Sequence, residues 1–380
     1  MSVATNELIV PAAAEIAERA ERELDALVAV SSPSGDVEGA EAALAICALL
    51  LPDGARIERP PCSTPGSAPD LLATLPGGGR RRIMLLGHVD TVIGHGEHQP
   101  VRREGERLYG TGTADMKGGD VLALGVARAL GAHPESFAEL AVLMVTDEEW
   151  RTAEFVHAQR LAGYDACLCF EAGERTARDE DAVVVRRKAA GTLRVTATGR
   201  AAHSGSAPER GRNALLALAQ TARTVAALHD PGGPDALSAV PTVMRSGEAF
   251  NVVPASGELI FDLRATTLDA FEPVVGAVAD EIDGVALHAA MERRWPGMDT
   301  DEIVAPLLAR ASAGLGRPIV GIARGGASDA AHFAATIPLT VDGLGPRGGG
   351  AHTPEEFVLS ESLRSRAEVA LAVALAALVS

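Results

Sequence analysis

Histidines and carboxylates recur in this chain at the ends of short apolar runs. His88-Val89-Asp90 closes the run Ile83-Met84-Leu85-Leu86. On an extended strand, residues i and i+2 face the same side, so an imidazole and a carboxylate stand together. Such a pair suits a metal-ligating histidine oriented by the carboxylate behind it; it equally suits a buried structural pair. Thr146-Asp147-Glu148-Glu149 ends a second apolar run that starts at Ala141. Adjacent carboxylates repel, and crowding them is costly unless a cation neutralises them. In isolation the three acids read as a solvated loop, but the strand before them aims them at the crevice where open α/β sheets bind ligands. Glu171 directly follows a third run, Cys167–Phe170.

Gly110-Thr111-Gly112-Thr113-Ala114-Asp115-Met116-Lys117-Gly118-Gly119 contains a GxGxxA pattern. A dinucleotide reading is rejected: no strand is expected directly before it, and an Asp at the helix entry would repel a pyrophosphate. The segment reads instead as a flexible loop that delivers Asp115. His352 follows Gly348-Gly349-Gly350-Ala351, where glycines permit close approach and unusual dihedrals; taken alone it is an ordinary loop histidine. Together, His88, Asp115, Glu148, Glu149, Glu171 and His352 suit two divalent zinc ions. Imidazole and carboxylate are zinc ligands, and a catalytic site keeps a position for water. One carboxylate can bridge the two ions and one can stay unligated as general base. No cysteine stands among these six residues, which argues against a structural thiolate site.

The elements that must carry these residues follow from periodicity. Residues 11–29 and 37–51 have helical spacing, as do 119–132. The runs 83–86, 141–146 and 166–170 are buried strands. Alternating strands and helices predict an α/β fold: a catalytic domain with a central mixed β-sheet flanked by helices. From about residue 189 the texture changes. Leu193–Thr198 alternates, a helix follows over 213–228, strands over 240–244 and 257–264, and a helix over 268–282. This segment reads as a smaller α+β domain inserted into the first. After Pro296 the α/β texture returns, with a helix near 302–314, a strand near 339–341 and a C-terminal helix. The expected division is 1–188 with 299–380 for the catalytic domain and 189–298 for the insert.

Composition narrows the function classes. The chain has 380 residues with a formal charge of −17, so the phosphate-neutralising charge of a nucleic-acid or anionic-membrane binder is missing. Aromatics are 3%, too few for base-stacking platforms. The longest apolar run, Val369–Val379, is too short to span a bilayer. The N-terminal stretch has no secretory pattern. Cys47, Cys62, Cys167 and Cys169 form no CxxC pair, and four cysteines in this length make no disulfide framework. A reducing cytoplasmic setting is expected.

The ordered motifs closely resemble those of the co-catalytic di-zinc aminoacylase and carboxypeptidase metallopeptidase family. That family includes glutamate carboxypeptidase, acetylornithine deacetylase and succinyl-diaminopimelate desuccinylase. The likeness runs from about residue 80 to 360. It lies in Gly87–Val92, Tyr109–Gly119, Thr146–Glu149, Phe170-Glu171, Gly199 through Ser204, Asn251–Pro254, Gly325–Asp329 and Gly349–His352. Pro208-Glu209 and the GGASDA segment give a glutamate-carboxypeptidase-like flavour. The resemblance implies that Asp115 bridges two zinc ions, with Co2+ or Mn2+ as substitutes. It implies His88 and Glu171 on one ion, Glu149 and His352 on the other, Glu148 as general base and Asp90 as the partner of His88. It further implies a cis Asp115–Met116 bond and a lid domain that forms a homodimer. His203 matches the lid histidine that stabilises the oxyanion, usually in the partner subunit's site. Asn251 and Arg264 match positions that bind the substrate carboxylate, and Arg324 is a further candidate for it.

One departure stands out. The family pattern carries a Gly-Ser after the paired glutamates, whereas Trp150-Arg151-Thr152 follows Glu149 here. Ligands and base are untouched; the pocket shape is not. The expected activity is zinc-dependent cleavage of the amide bond of a C-terminal or N-acylated amino acid, on a small peptide or N-acyl amino acid. Carboxypeptidase and N-acyl-amino-acid deacylase stay open as alternatives. A catalytically silent binding protein on the same fold would be expected to lose a ligand, and none is lost.

Overall fold

Short apolar runs rich in Val, Leu and Ile build the centre of the molecule. The computed structural model describes residues 3–379, with side chains from Leu8 onward. Arg82–His88, Glu139–Val145 and Ala166–Cys169 are almost entirely buried strands. Strands covered on both faces read as continuous apolar runs because neither side meets water. With three neighbours they form a six-stranded sheet in the order 56–58, 71–76, 139–145, 82–88, 166–169, 339–341. The Arg82–His88 strand runs parallel to both of its neighbours, and Leu71–Pro76 pairs antiparallel with Glu139–Val145. The sheet is therefore mixed.

Helices Val3–Val28, Gly118–Gly131, Asp301–Leu315 and Ser360–Leu378 pack with this sheet around one apolar cluster. Its members are mainly Ala, Val and Leu, as the aromatic-poor composition requires. Arg82–His88 and Glu139–Val145 are in register so that His88 sits beside Val145. His88 and the acids after Val145 thus emerge together at the carboxyl ends of adjacent parallel strands, where ligands of open α/β sheets bind.

The chain divides into two units. One takes the chain up to Arg186, Asp299–Arg324 and everything from Ser328; the other is Arg187–Met298 with Gly325–Ala327. The second unit is a five-stranded antiparallel sheet, order 238–246, 256–265, 189–198, 285–295, 281–282. Helix Ala214–Ala226 packs on it, its amino end capped by Asn213, which accepts from the Leu216 N–H at 3.3 Å. Leu193, Val195, Phe261, Leu263 and Phe271 fill the space between.

Three expectations are corrected. The helix anticipated over 268–282 is a turn at Leu268–Phe271 and a short helix, Glu272–Gly276. Asp283 and Gly284 both take positive φ, 50° and 77°, and make a tight turn that pairs Ile282 with Val285. An Asp-Gly pair is a strong hairpin signal, and it overrides the helical pattern before it. The turn leads into Val285–Trp295, an eleven-residue strand not anticipated from the sequence. Finally, a strand does precede Gly110: Arg107–Tyr109. It lies in a small antiparallel sheet with 102–104 and 357–359, so it is no part of a parallel nucleotide-binding unit. Among the described residues, no helix is long and apolar enough to cross a membrane.

Candidate metal centre

Three strand ends and two loops bring the acids and imidazoles together. His88 terminates its strand and is buried. Glu148 and Glu149 follow Glu139–Val145, and Glu171 follows Ala166–Cys169. Asp115 arrives on a tight turn, Thr113–Lys117, entered through Gly112 at φ 77°. That φ suits glycine, and a Cβ there would meet Thr91 Cγ2 at 2.9 Å. The Asp115–Met116 peptide is cis. Buried Lys117 faces away, donating from Nζ to the Val30 carbonyl at 2.7 Å. His352 itself adopts a φ of 65°, a conformation that costs a non-glycine residue energy and concentrates at functional sites.

Asp115 divides its two oxygens between the histidines. Oδ1 lies 3.2 Å from His88 Nε2, and Oδ2 lies 3.1 Å from His352 Nε2. On the first side Glu171 Oε1 stands 3.7 Å from His88 Nε2. On the second, Glu149 Oε2 stands 3.2 Å from His352 Nε2. One ligand atom each from His88, Asp115 and Glu149 lie within 4.8 Å of one another, close enough to share an ion. Glu149 Oε1 is buried and has no hydrogen-bond partner among the described residues; a buried polar atom without one is rare and costly.

The electrostatics are those of crowded carboxylates. Burial pushes Glu148 up to about 7, aided by the charges of Glu149 and Asp115 and opposed by His88. Burial, then Asp115, holds Glu171 well above the carboxylate range. Burial would raise Asp115 as well, but hydrogen bonds from His352 and His88 outweigh it and hold the group below that range. The hydrogen bonds to Asp115 and Glu149 lift His352 to about 10.

Asp90 ties the parts together. Its Oδ1 accepts from the Glu148 N–H and its Oδ2 from the Glu149 N–H, both at 3.1 Å. His88 Nδ1 lies 3.1 Å from the Asp90 carbonyl and 3.4 Å from its carboxylate. This fixes the ring with Nδ1 protonated and Nε2 turned toward Asp115 and Glu171.

Three of the remaining candidates, His203, Asn251 and Arg264, belong to the second unit. His203, on the second unit, is exposed; its Nδ1 accepts from the N–H groups of Gly205 and Ser206 at 3.1 and 3.2 Å. A neutral ring held so carries its proton on Nε2. Asn251 is exposed, and its carbonyl accepts from the Ser204 N–H. Arg264 is engaged by Asp262, and Arg324 by Glu174. Trp150 is exposed. Glu356 was not singled out by sequence reasoning. It is buried, and its carboxylate accepts from the N–H groups of Gly112, Ala114 and Asp115.

Comparison with known proteins places these observations. Residues 84–376 match the model of peptidase family M20/M25/M40. Carboxypeptidase G2 of Pseudomonas sp. (strain RS-16) is 27% identical over 353 residues, covering 88% of this chain and 83% of that protein. A succinyl-diaminopimelate desuccinylase of Xylella fastidiosa (strain 9a5c) is 30% identical over 328 residues, 79% of this chain and 84% of the relative. Among solved structures, a tripeptidase from Staphylococcus aureus subsp. aureus Mu50 superposes with a TM-score of 0.75 at 20% identity, over 96% of this chain and 99% of that one. A di-peptidase from Saccharomyces cerevisiae gives 0.75 at 13% identity, over 100% of both chains. At these identities the structural likeness speaks for the fold.

Proposed function

Because the chain belongs to peptidase family M20/M25/M40 and is a hydrolase, we propose that it cleaves the amide bond of a C-terminal or N-acylated amino acid with Glu148 as general base. The observation that carries this reading is the division of Asp115, one oxygen toward His88 and the other toward His352. The residues fit two divalent ions: two imidazoles, three carboxylates and one orphaned buried oxygen on Glu149. His88, Glu171 and Asp115 would hold one ion; His352, Glu149 and Asp115 the other. Zinc there would supply Lewis acidity toward the amide carbonyl and lower the pKa of an attacking water.

The chain's own groups do the rest. Glu148 is spared by this ligand assignment and buried beside it. It takes a proton from the attacking water and returns it to the leaving nitrogen. Asp90 holds both the base and the ligand next to it by their backbone N–H groups. His203 donates from Nε2 to the oxyanion. Asn251 and Arg264 receive the substrate carboxylate, with Arg324 a further candidate. Exposed Leu215, Leu216, Val240 and Met244 on the second unit support a homodimer formed through it. Four free cysteines support a cytoplasmic setting.

Carboxypeptidase and deacylase readings use the same machinery, and the relatives carry both kinds of name. A mass-spectrometric screen separates them: zinc-loaded protein against dipeptides and N-acyl amino acids, with Glu148→Ala alongside. Release of an amino acid by the wild type and its loss in the variant is the expected result. Turnover surviving in Glu148→Ala would overturn the assignment of the base.

A further inference from the structure

Arg151 stands where the family pattern has a small residue, and its side chain is wholly buried. Nη1 donates to Asp147 Oδ1 at 2.9 Å, and the other arm of the fork grips the Asp329 carboxylate. The guanidinium also lies 4.5 Å from the centroid of Phe155, whose ring packs edge-on against Phe333 at 5.3 Å. Asp147 uses its second oxygen to accept from the Thr64 N–H at 2.8 Å. Asp329 is itself buried and precedes the short helix Ala330–Ala334.

The Asp147–Arg151 contact closes a five-residue loop on itself, and the three residues inside it are Glu148, Glu149 and Trp150. The ends of this loop are fixed to Asp329 and Thr64, and its middle to Asp90. A buried charge network is weak evidence for stability, since apolar residues of like volume often do as well. What the network does supply is a single geometry for the loop, because a guanidinium fork binds carboxylates only in defined directions.

We propose that Arg151 is a positioning residue, which by clamping Asp147 to Asp329 aims Glu149 at its metal and Glu148 at the reacting water. The proposal rests on the metal-centre reading above and adds to it the Asp329 of the GGASDA segment, otherwise without a role. A lysine carries the charge but lacks the fork. The test is a Co2+ titration of metal-free protein, read by visible absorbance, so that no substrate is needed. Arg151→Lys should remain folded, lose about tenfold in cobalt affinity and show an altered absorption band. Leu307→Ala, a buried change on the helix Asp301–Leu315, serves as the control for lowered melting temperature and should bind cobalt as the wild type does.

Wild-type affinity and spectrum in Arg151→Lys would overturn the proposal, as would an equal loss in Leu307→Ala. If Arg151→Lys does not fold, Arg151→Met combined with Asp329→Asn is measured in the same way. Failure of both to fold would make the residue a folding determinant only, and the proposal would fall. A wild type that binds no cobalt would instead sink the metal-centre reading, and this inference with it.

Discussion

Glu356 accepts the backbone N–H of Asp115 at 2.9 Å, across 241 residues of sequence. The same carboxylate accepts from Gly112 at 2.9 Å and Ala114 at 2.8 Å. Glu356 follows His352 by four residues, so one side chain ties the loop of Asp115 to the loop of His352. Glu356→Gln keeps the shape but turns an NH2 group toward backbone donors. Partners behind metal ligands are typically worth about 10–100-fold in metal affinity. A loss of that size is expected, measured by calorimetric zinc titration of metal-free protein. Undiminished affinity would leave Glu356 with a purely local role.

Asp90 joins His88 to the paired glutamates, and its removal should disturb both sides of the centre. In Asp90→Ala the N–H groups of Glu148 and Glu149 lose buried acceptors, each worth about 1–3 kcal/mol when left unsatisfied. The expected outcome is a loss of bound metal together with a drop of about 10–100-fold in kcat. Metal content by atomic emission and steady-state kinetics on the same preparation check it. Full metal content with unchanged kcat would refute the linking role.

Much of the centre was legible because its residues sit at ends of apolar runs. His88 ends a strand, and the acids after Val145 and Glu171 come just past two more, and the burial of all three strands forces them into the sheet. Because these three strands run parallel, their ends meet at one edge of the sheet. Glu356 was not legible: in Thr353-Pro354-Glu355-Glu356 it reads as a solvated acid, and its partners are backbone groups more than 240 residues away. Arg151 was visible as a departure, but nothing local shows that it reaches Asp329. The strand Val285–Trp295 was missed although Asp283-Gly284 announced its turn, because the apolar spacing before it suits a helix.

Asp120 should make the fold sensitive to pH. Both its oxygens are buried with no hydrogen-bond partner among the described residues, and burial raises it from 3.8 to about 8. The folded chain therefore holds this proton when the unfolded chain has released it. That stability is complete below the unfolded value and is lost as pH rises toward about 8. Lys117, lowered to about 8 by burial, keeps its charge through the window from pH 5 to 7. Asp120→Asn stays neutral throughout. Its stability relative to wild type should grow by up to about 1.4 kcal/mol per pH unit in metal-free protein, by urea unfolding. A constant difference between pH 5 and 7 would show that Asp120 is ionised in the fold.

Arg264 offers the sharpest test of the carboxylate assignment, because its fork is already in use. Nε and Nη2 each lie 3.1 Å from an oxygen of Asp262, two residues away on the same strand. An incoming substrate carboxylate must share or replace that partner. Charge-assisted hydrogen bonds are worth about 1.5–3 kcal/mol, so Arg264→Ala should raise KM by about tenfold or more while kcat moves little. Asp262→Ala frees the fork and should lower KM for the same substrates. Amidation of the substrate carboxylate should abolish both effects, which separates recognition from a general loosening of the strand. A KM unchanged in Arg264→Ala would transfer the carboxylate to another residue, and Arg324→Ala is the variant to measure next. Arg324 is likewise held, by Glu174, so the same competition governs its KM.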